Sequence, residues 1–424
     1  MSTELAAKPE IIVVTLSMDP HGGSEPGKGW WWSSALSEYF RLHVITREYS
    51  RQLCKDEPLA KKEGWIFHPT QRDITTWKIP KGYFDYLQWL NEVMAISRQV
   101  AAQFPICGLC HVTLGSFRVL PRYEQLGIPY TVGPLGGGEC SPVGYTWERP
   151  APLKHKIAET LRPIFNNSFA LVPPLRACLG SAKMVLTTSK ETERIVRRMG
   201  AKNTAVVFPD SFDNPIDFEN VAARRASQVD QVGKRIRLLW QGRPFWWKGP
   251  DIALLILRRA LDAGLGVDLT MVSAWDGAFG KDVQALAEKL SVSKNVQWMG
   301  HMSREKFLEM AQEQHGLLAT SLHDSGGIPL VEAQALGLPC ITMGLGGLRV
   351  SACPEAGVNE TMPTISEFVE KAVVCLANWQ KNPDAWLDGS KRAVAFARQF
   401  TTNRLKESVR EFIVPAFKKE AADN

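Results

Sequence analysis

Leu238-Leu239-Trp240-Gln241-Gly242-Arg243-Pro244-Phe245-Trp246-Trp247-Lys248-Gly249 runs from an unbroken apolar stretch into a loop punctuated by glycines. An unbroken apolar run, as opposed to an alternating one, suits a strand covered on both faces, as in a parallel sheet. A helical pattern begins near Asp251, so the segment reads as strand, loop, helix. Arg243 and Lys248 emerge at the carboxyl end of the strand. Two cations there suit a diphosphate, because arginine makes bidentate contacts and lysine acts as a point charge. Taken alone, the loop reads more readily as a surface turn with solvated basic residues.

Working outward, similar apolar runs fall at 11–17, 42–47, 109–115, 130–135, 184–189 and 205–209. Further ones fall at 237–242, 268–274, 296–300, 317–322 and 340–344. Between them, 251–263, 281–290, 303–313 and 329–336 show apolar spacing near 3.6, with Ser303 placed as an N-cap. Alternating strands and helices define an α/β class. The series restarts after Phe208-Pro209-Asp210, and the polar stretch 214–234 separates the two runs. The expectation is two Rossmann-like doubly wound domains facing a cleft. They are residues 1–215, a linker 216–235, residues 236–398, and a C-terminal helix within 399–424 that packs back on the first domain. Ligands bind such folds at the carboxyl ends of the strands.

Composition narrows the classes. A chain of 424 residues with 45% apolar and 22% charged side chains is neither disordered nor collagen-like. No apolar run approaches the ~18 residues that span a bilayer, and residues 1–10 lack a signal-peptide pattern. The chain reads as soluble and cytoplasmic, on the inner face of the cell membrane if it meets one. Eight scattered cysteines are expected to be reduced. The net charge is +6, and Arg149 to Lys202 holds 11 basic and 3 acidic residues. That stripe suits an anionic membrane surface or a phosphate-bearing substrate, not nucleic acid; solvated faces of amphipathic helices explain it equally. Trp30-Trp31-Trp32 cannot all face one side of a helix. Sugar stacking, a membrane edge and core packing are all open to them.

Three motifs mislead. Gly22-Gly23-Ser24-Glu25-Pro26-Gly27-Lys28-Gly29 nearly spells a phosphate-binding loop, but Gly29 stands where a Ser or Thr hydroxyl is needed. Cys107-Gly108-Leu109-Cys110-His111 has haem-attachment spacing, yet it lies across the start of a buried strand. Gly344-Leu345-Gly346-Gly347 follows a strand but has Arg349 in place of the third dinucleotide-binding glycine. No Asp-x-Asp, His-Glu-x-x-His or Gly-x-Ser-x-Gly occurs, which argues against a metal-chelated sugar nucleotide, a zinc peptidase and a serine hydrolase.

The second informative segment is Ser321-Leu322-His323-Asp324-Ser325-Gly326-Gly327-Ile328-Pro329-Leu330-Val331-Glu332-Ala333. A glycine turn after a strand presents N–H groups at a helix N-terminus, and two carboxylates stand eight positions apart. Glu332, one turn into the helix, can accept from two vicinal hydroxyls.

Asp324-x7-Glu332 resembles the Glu-x7-Glu motif of the family-4 retaining glycosyltransferases, which have the GT-B fold. Gly242-Arg243 and Lys248-Gly249 look like their paired Arg and Lys. Gly22-Gly23-Ser24-Glu25 resembles their first glycine loop, and Leu345-Gly346-Gly347 the loop after the Glu-x7-Glu helix. Gly133-Pro134-Leu135-Gly136-Gly137-Gly138-Glu139 looks closest to the branch that builds bacterial surface polysaccharides.

The resemblance implies transfer of a sugar, with retention and without a metal or cofactor, from a UDP- or GDP-sugar to a glycan or lipid-linked hydroxyl. A peripheral membrane contact would accompany a lipid-linked acceptor. Arg243 and Lys248 would neutralise the leaving diphosphate, and Glu332 would hold the ribose. Asp324 would stand near the transferred sugar, with N–H groups of Gly326, Gly327 and Ile328 on its hydroxyls or phosphate. Gly23 would let the first loop approach the β-phosphate, and Gly300 sits where backbone reads the base. His111 keeps the first histidine of a His-x-His segment, whose second is Thr113. A buried structural His111 is the competing reading. At the first acidic position Asp replaces Glu, one methylene shorter. The alternative function is a non-catalytic GT-B-like protein that binds nucleotide or glycan.

Overall fold

A computed structural model describes residues 8–74, 81–211 and 218–417. The described strands form two sheets, and every pairing in both is parallel. The first contains β1 (Glu10–Thr15), β2 (Arg41–Arg47), β3 (Ile66–Thr70), β4 (Ile106–Thr113), β5 (Tyr130–Leu135), β6 (Met184–Thr187) and β7 (Thr204–Val206), in the order β3-β2-β1-β4-β5-β6-β7. The second contains β8 (Ile236–Gln241), β9 (Val267–Val272), β10 (Val296–Met299), β11 (Gly316–Ala319), β12 (Cys340–Thr342) and β13 (Val358–Asn359), in the order β10-β9-β8-β11-β12-β13. Both are doubly wound. The order reverses between β1 and β4 in one and between β8 and β11 in the other, the position where such folds take ligands.

The central strands are buried along most of their length: Ile11 to Val14 of β1 and Leu238 to Trp240 of β8 are shut from water. This is the cause of the unbroken apolar runs. The two strands not expected, β3 and β13, lie at or near sheet edges. β3 carries His68 and Pro69 and is mostly half-buried, and β13 has two residues, so neither leaves a long apolar run. The four expected helices form as Pro250–Asp262, Gly277–Lys289, Arg304–Ala311 and Ile328–Ala335. Ser303 caps the third through its side chain.

The chain divides into two compact units. One comprises residues 1–138, 164–211 and 400–424, and the other 139–163 and 212–399. This differs from the division drawn at residue 215, because 139–163 joins the second unit. There the buried Arg149 pairs with Asp251 through two hydrogen bonds, each 2.8 Å or shorter. The expected linker is also corrected. Residues 218–234 form the helices Phe218–Ser227 and Val229–Lys234, anchored by Arg225, which donates from a buried position to the carbonyls of Leu336 and Gln314. A polar side chain anchors this helix, so composition alone misread it. Residues 216 and 217 of that linker, 418–424 of the expected C-terminal helix, and 1–7 of the signal-peptide reading lie outside the described residues.

Three further expectations are resolved locally. Trp32 is buried and donates to the Pro209 carbonyl (2.9 Å), while Trp30 packs on Trp65 with ring centroids 5.1 Å apart. Trp30 and Trp31 pack against the same hydrophobic core, so the triplet serves packing. Arg149 is withdrawn from the basic stripe into its buried pair. No described helix is long and apolar enough to cross a membrane.

Candidate active site

In the second unit, the loops after β8, β11 and β12 leave adjacent strands at one end of a parallel sheet. Sequence alone could not bring them together, because their residues are tens of positions apart. Lys248 Nζ lies 2.5 Å from Asp324 Oδ2, which ties the loop after β8 to the loop after β11 across the strand-order reversal. The loops are also joined by backbone: Leu322 N donates to the Trp247 carbonyl at 2.8 Å, and the Thr320 hydroxyl to the Gly249 carbonyl at 2.7 Å. Gly249 has φ +70°, and a Cβ there would meet the Thr320 carbonyl oxygen at 2.1 Å. Only glycine permits both that conformation and that approach.

Asp324 is also held from behind. Gly347 N donates to its carbonyl at 2.7 Å, and a Cβ on Gly347 would meet the Ser325 carbonyl carbon at 2.7 Å. The loop after β12 therefore lies on the Asp324–Gly327 turn, with its N–H groups beside it. Gly346 at φ +55° packs its open side on Asp324 and Glu139. Gly327 precedes the helix Ile328–Ala335, so the first N–H groups of that helix open onto the same turn.

Glu332 lies on this helix and is buried, with Arg304 as its partner. Burial pushes the Glu332 carboxyl above its ordinary range, and Arg304 opposes the rise only in part. A buried carboxylate with one cationic partner has acceptor capacity left for hydroxyls.

Arg243 is exposed at the start of the loop, its guanidinium 5.9 Å from the Phe245 ring centroid. Phe245 stacks on Trp247 (5.9 Å), and Trp247 on His323 (4.6 Å). Lys248 Nζ sits 4.6 Å from the Trp247 centroid. This ladder positions both cations, and the sequence reading missed it. Its signal was the Phe245-Trp246-Trp247 triplet between the cations. His323 in turn donates to Glu159 at 3.1 Å. Burial raises the Glu159 carboxyl, but His323 and nearby arginines hold it below its ordinary range. Glu159 is the first of the three acids in that basic stretch. Gly300 follows β10, and a Cβ on it would meet nothing within 4 Å.

Two expected residues belong to the first unit. Gly23 precedes the helix Ser24–Ser37, with open space at its Cβ position. In that helix, Lys28 is buried 3.2 Å from Glu25. Burial works against its charge, but Glu25 and Asp210 hold its pKa above the ordinary value. His111 is buried on β4, with Nδ1 2.6 Å from the Tyr123 hydroxyl. Burial lowers its pKa to about 4, with the Leu114 backbone opposing. Cys110 beside it is buried, so the segment is a core strand and presents no haem face.

Comparison with known proteins bears on the fold. Residues 224–384 match the family model described as Glycosyl transferases group 1. D-inositol 3-phosphate glycosyltransferase of Segniliparus rotundus is 27% identical over 221 residues, 48% of each chain. The chain spans about half the length of the curated relatives it matches. Sucrose-phosphate synthase from Thermosynechococcus elongatus superposes with TM-score 0.64 at 14% identity, over 95% of this chain and 98% of that one. HepE of Anabaena, solved with UDP and glucose, superposes with TM-score 0.58 at 15% identity, again over 95% and 98%. The two parallel-sheet α/β units thus have the GT-B fold of these structures, and residues 224–384 are similar to the Glycosyl transferases group 1 model.

Proposed function

We propose that the chain is a retaining glycosyltransferase. It moves a sugar from a UDP- or GDP-sugar to a hydroxyl of a glycan or lipid-linked acceptor, without a metal, in surface polysaccharide assembly. The observation that carries the reading is the Lys248–Asp324 pair at the strand-order reversal, with buried Glu332 on the adjoining helix. The names of the curated relatives, and the UDP and glucose bound by HepE, support a nucleotide-sugar donor.

Breaking a sugar–phosphate bond builds negative charge on the diphosphate and positive charge on the anomeric carbon. Arg243, Lys248 and the N–H groups of Gly326, Gly327 and Ile328 stabilise the first of these, a task that preorganised donors perform well. A diphosphate competes with Asp324 for Lys248, which releases the Asp324 carboxylate toward the sugar hydroxyls. Glu332 accepts from the ribose, and backbone at Gly300 faces the base. For the first unit, the motif resemblance is what assigns Gly23 a phosphate-binding role and His111, neutral in the folded chain, a catalytic one. The acceptor hydroxyl attacks from the face the diphosphate leaves and gives its proton to a phosphate oxygen. A peripheral contact with the inner face of the cell membrane would supply a lipid-linked acceptor.

Thermal stability is followed with UDP, GDP, ADP and CMP, with and without magnesium. The expected result is a rise with one nucleoside diphosphate that needs no metal and is lost in Arg243→Ala. No rise with any nucleotide would refute the donor site.

A further inference from the structure

The helix Leu153–Ser168 is oriented the wrong way round for a helix in water. A surface helix ordinarily turns its apolar stripe to the core. In the part that belongs to the second unit, the polar side chains face the protein instead. Glu159 accepts from His323 at 3.1 Å, and Arg162 donates to the Glu139 carbonyl at 2.8 Å. Leu153, Ile157 and Leu161 stand in solvent, 61%, 45% and 53% exposed. Spaced at i, i+4 and i+8, they form one row within about 80° of the helix circumference. Trp147, on the preceding helix Val143–Glu148, is 49% exposed. Single exposed apolar residues are ordinary, but a periodic row marks an interaction surface.

The charges around the row are also sorted. Lys154 is exposed beside it, and Lys156 reaches the Trp147 carbonyl at 3.2 Å. The carboxylates of the stretch are engaged by the protein: Glu148 accepts from Ser366 N at 3.0 Å, and Glu159 from His323.

From this arrangement we propose that the outer face of this segment docks on an anionic lipid bilayer. Leu153, Ile157 and Leu161 enter the boundary between headgroups and acyl chains, and Lys154 and Lys156 meet lipid phosphates. The lysines beside the row, with Glu159 turned inward and Glu148 bonded to Ser366, fit a negatively charged surface better than a second copy of this chain, whose net charge is +6. The proposal deepens the transferase reading by naming the surface through which a lipid-linked acceptor is reached.

The test is co-sedimentation of the full chain with vesicles of phosphatidylcholine alone or with about one third phosphatidylglycerol. The native chain is expected on the anionic vesicles, and Ile157→Gln/Leu161→Gln to lower its partition about tenfold or more. The thermal midpoint and the nucleotide-induced shift should stay native in that variant. Lys154→Glu should weaken binding as well, and added salt should remove the lysine contribution. Arg243→Ala should still bind vesicles, which separates failure of docking from failure of the donor site. Absence of the native chain from anionic vesicles, or native binding by Ile157→Gln/Leu161→Gln, would overturn the proposal. So would a native dimer that the same double variant makes monomeric, with no vesicle binding.

Discussion

Lys248 and Asp324 meet at 2.5 Å although 76 positions separate them, and their pairing closes the gap between the loops after β8 and β11. Both side chains keep some contact with water, so the pair contributes at most about 1 kcal/mol to stability. Lys248→Ala should therefore shift the thermal midpoint by no more than about 4 °C. It should lower kcat/KM for sugar transfer about 100-fold or more, as expected when a preorganised charge at a leaving group is removed. Parallel calorimetry and turnover assays read the two effects, and native turnover in the variant would remove Lys248 from the leaving-group site.

Glu332 holds a charge where burial disfavours it. Its folded pKa lies above the ordinary value of 4.5, so the folded state takes up this proton more readily than the unfolded chain. The associated stability is present at low pH and lost as pH rises through the folded pKa. Glu332→Gln should thus be at least as stable as the native protein at pH 7. That advantage should shrink as pH falls toward 4.5. Nucleotide affinity should fall about tenfold at the same time, read by titration calorimetry, because the ribose loses its acceptor. A variant both less stable at pH 7 and native in affinity would contradict this account.

The Arg149–Asp251 pair is buried on both sides and holds residues 139–163 to the second unit. Removing one partner leaves a buried charge unpaired, which costs about 3–5 kcal/mol. Arg149→Ala is expected to show that loss in urea unfolding. Arg149→Met combined with Asp251→Leu should recover much of it, since no charge then remains to be solvated. Equal losses in the single and double variants would contradict the role of the unpaired charge.

His111 is neutral in the folded chain through most of the acid range, because burial lowers its pKa from 6.5 to about 4. The unfolded chain protonates first as pH falls, so stability declines between those values, by about 2 kcal/mol at pH 5. His111→Gln should be less sensitive to a change from pH 7 to pH 5 than the native protein, read from urea midpoints. The pH profile of turnover should show no step from His111 between pH 6 and 8, values set against the ordinary histidine range. A step in that range lost in His111→Gln would overturn the neutral assignment.

Much of the fold was legible because burial on both faces writes itself into local sequence. The apolar runs at 11–17 and 237–242 announced buried parallel strands, and their repetition between helical patterns announced two doubly wound sheets. Within the second unit, the spacing of Asp324 and Glu332 placed one on a turn and the other one turn into the next helix, since helix periodicity is local. What faces what is decided by strand order, which no local pattern encodes. The register of β8 beside β11 created the Lys248–Asp324 pair and the stacking of Trp247 on His323. Likewise, apolar periodicity in residues 153–161 cannot say whether the stripe faces core or solvent. The inward contacts of Glu159 and Arg162 turned it outward, and the buried Arg149–Asp251 pair holds the segment to the second unit. Hydrophobic patterning follows from residues a few positions apart, whereas ion pairs and faces depend on which distant segments share the last layer of packing.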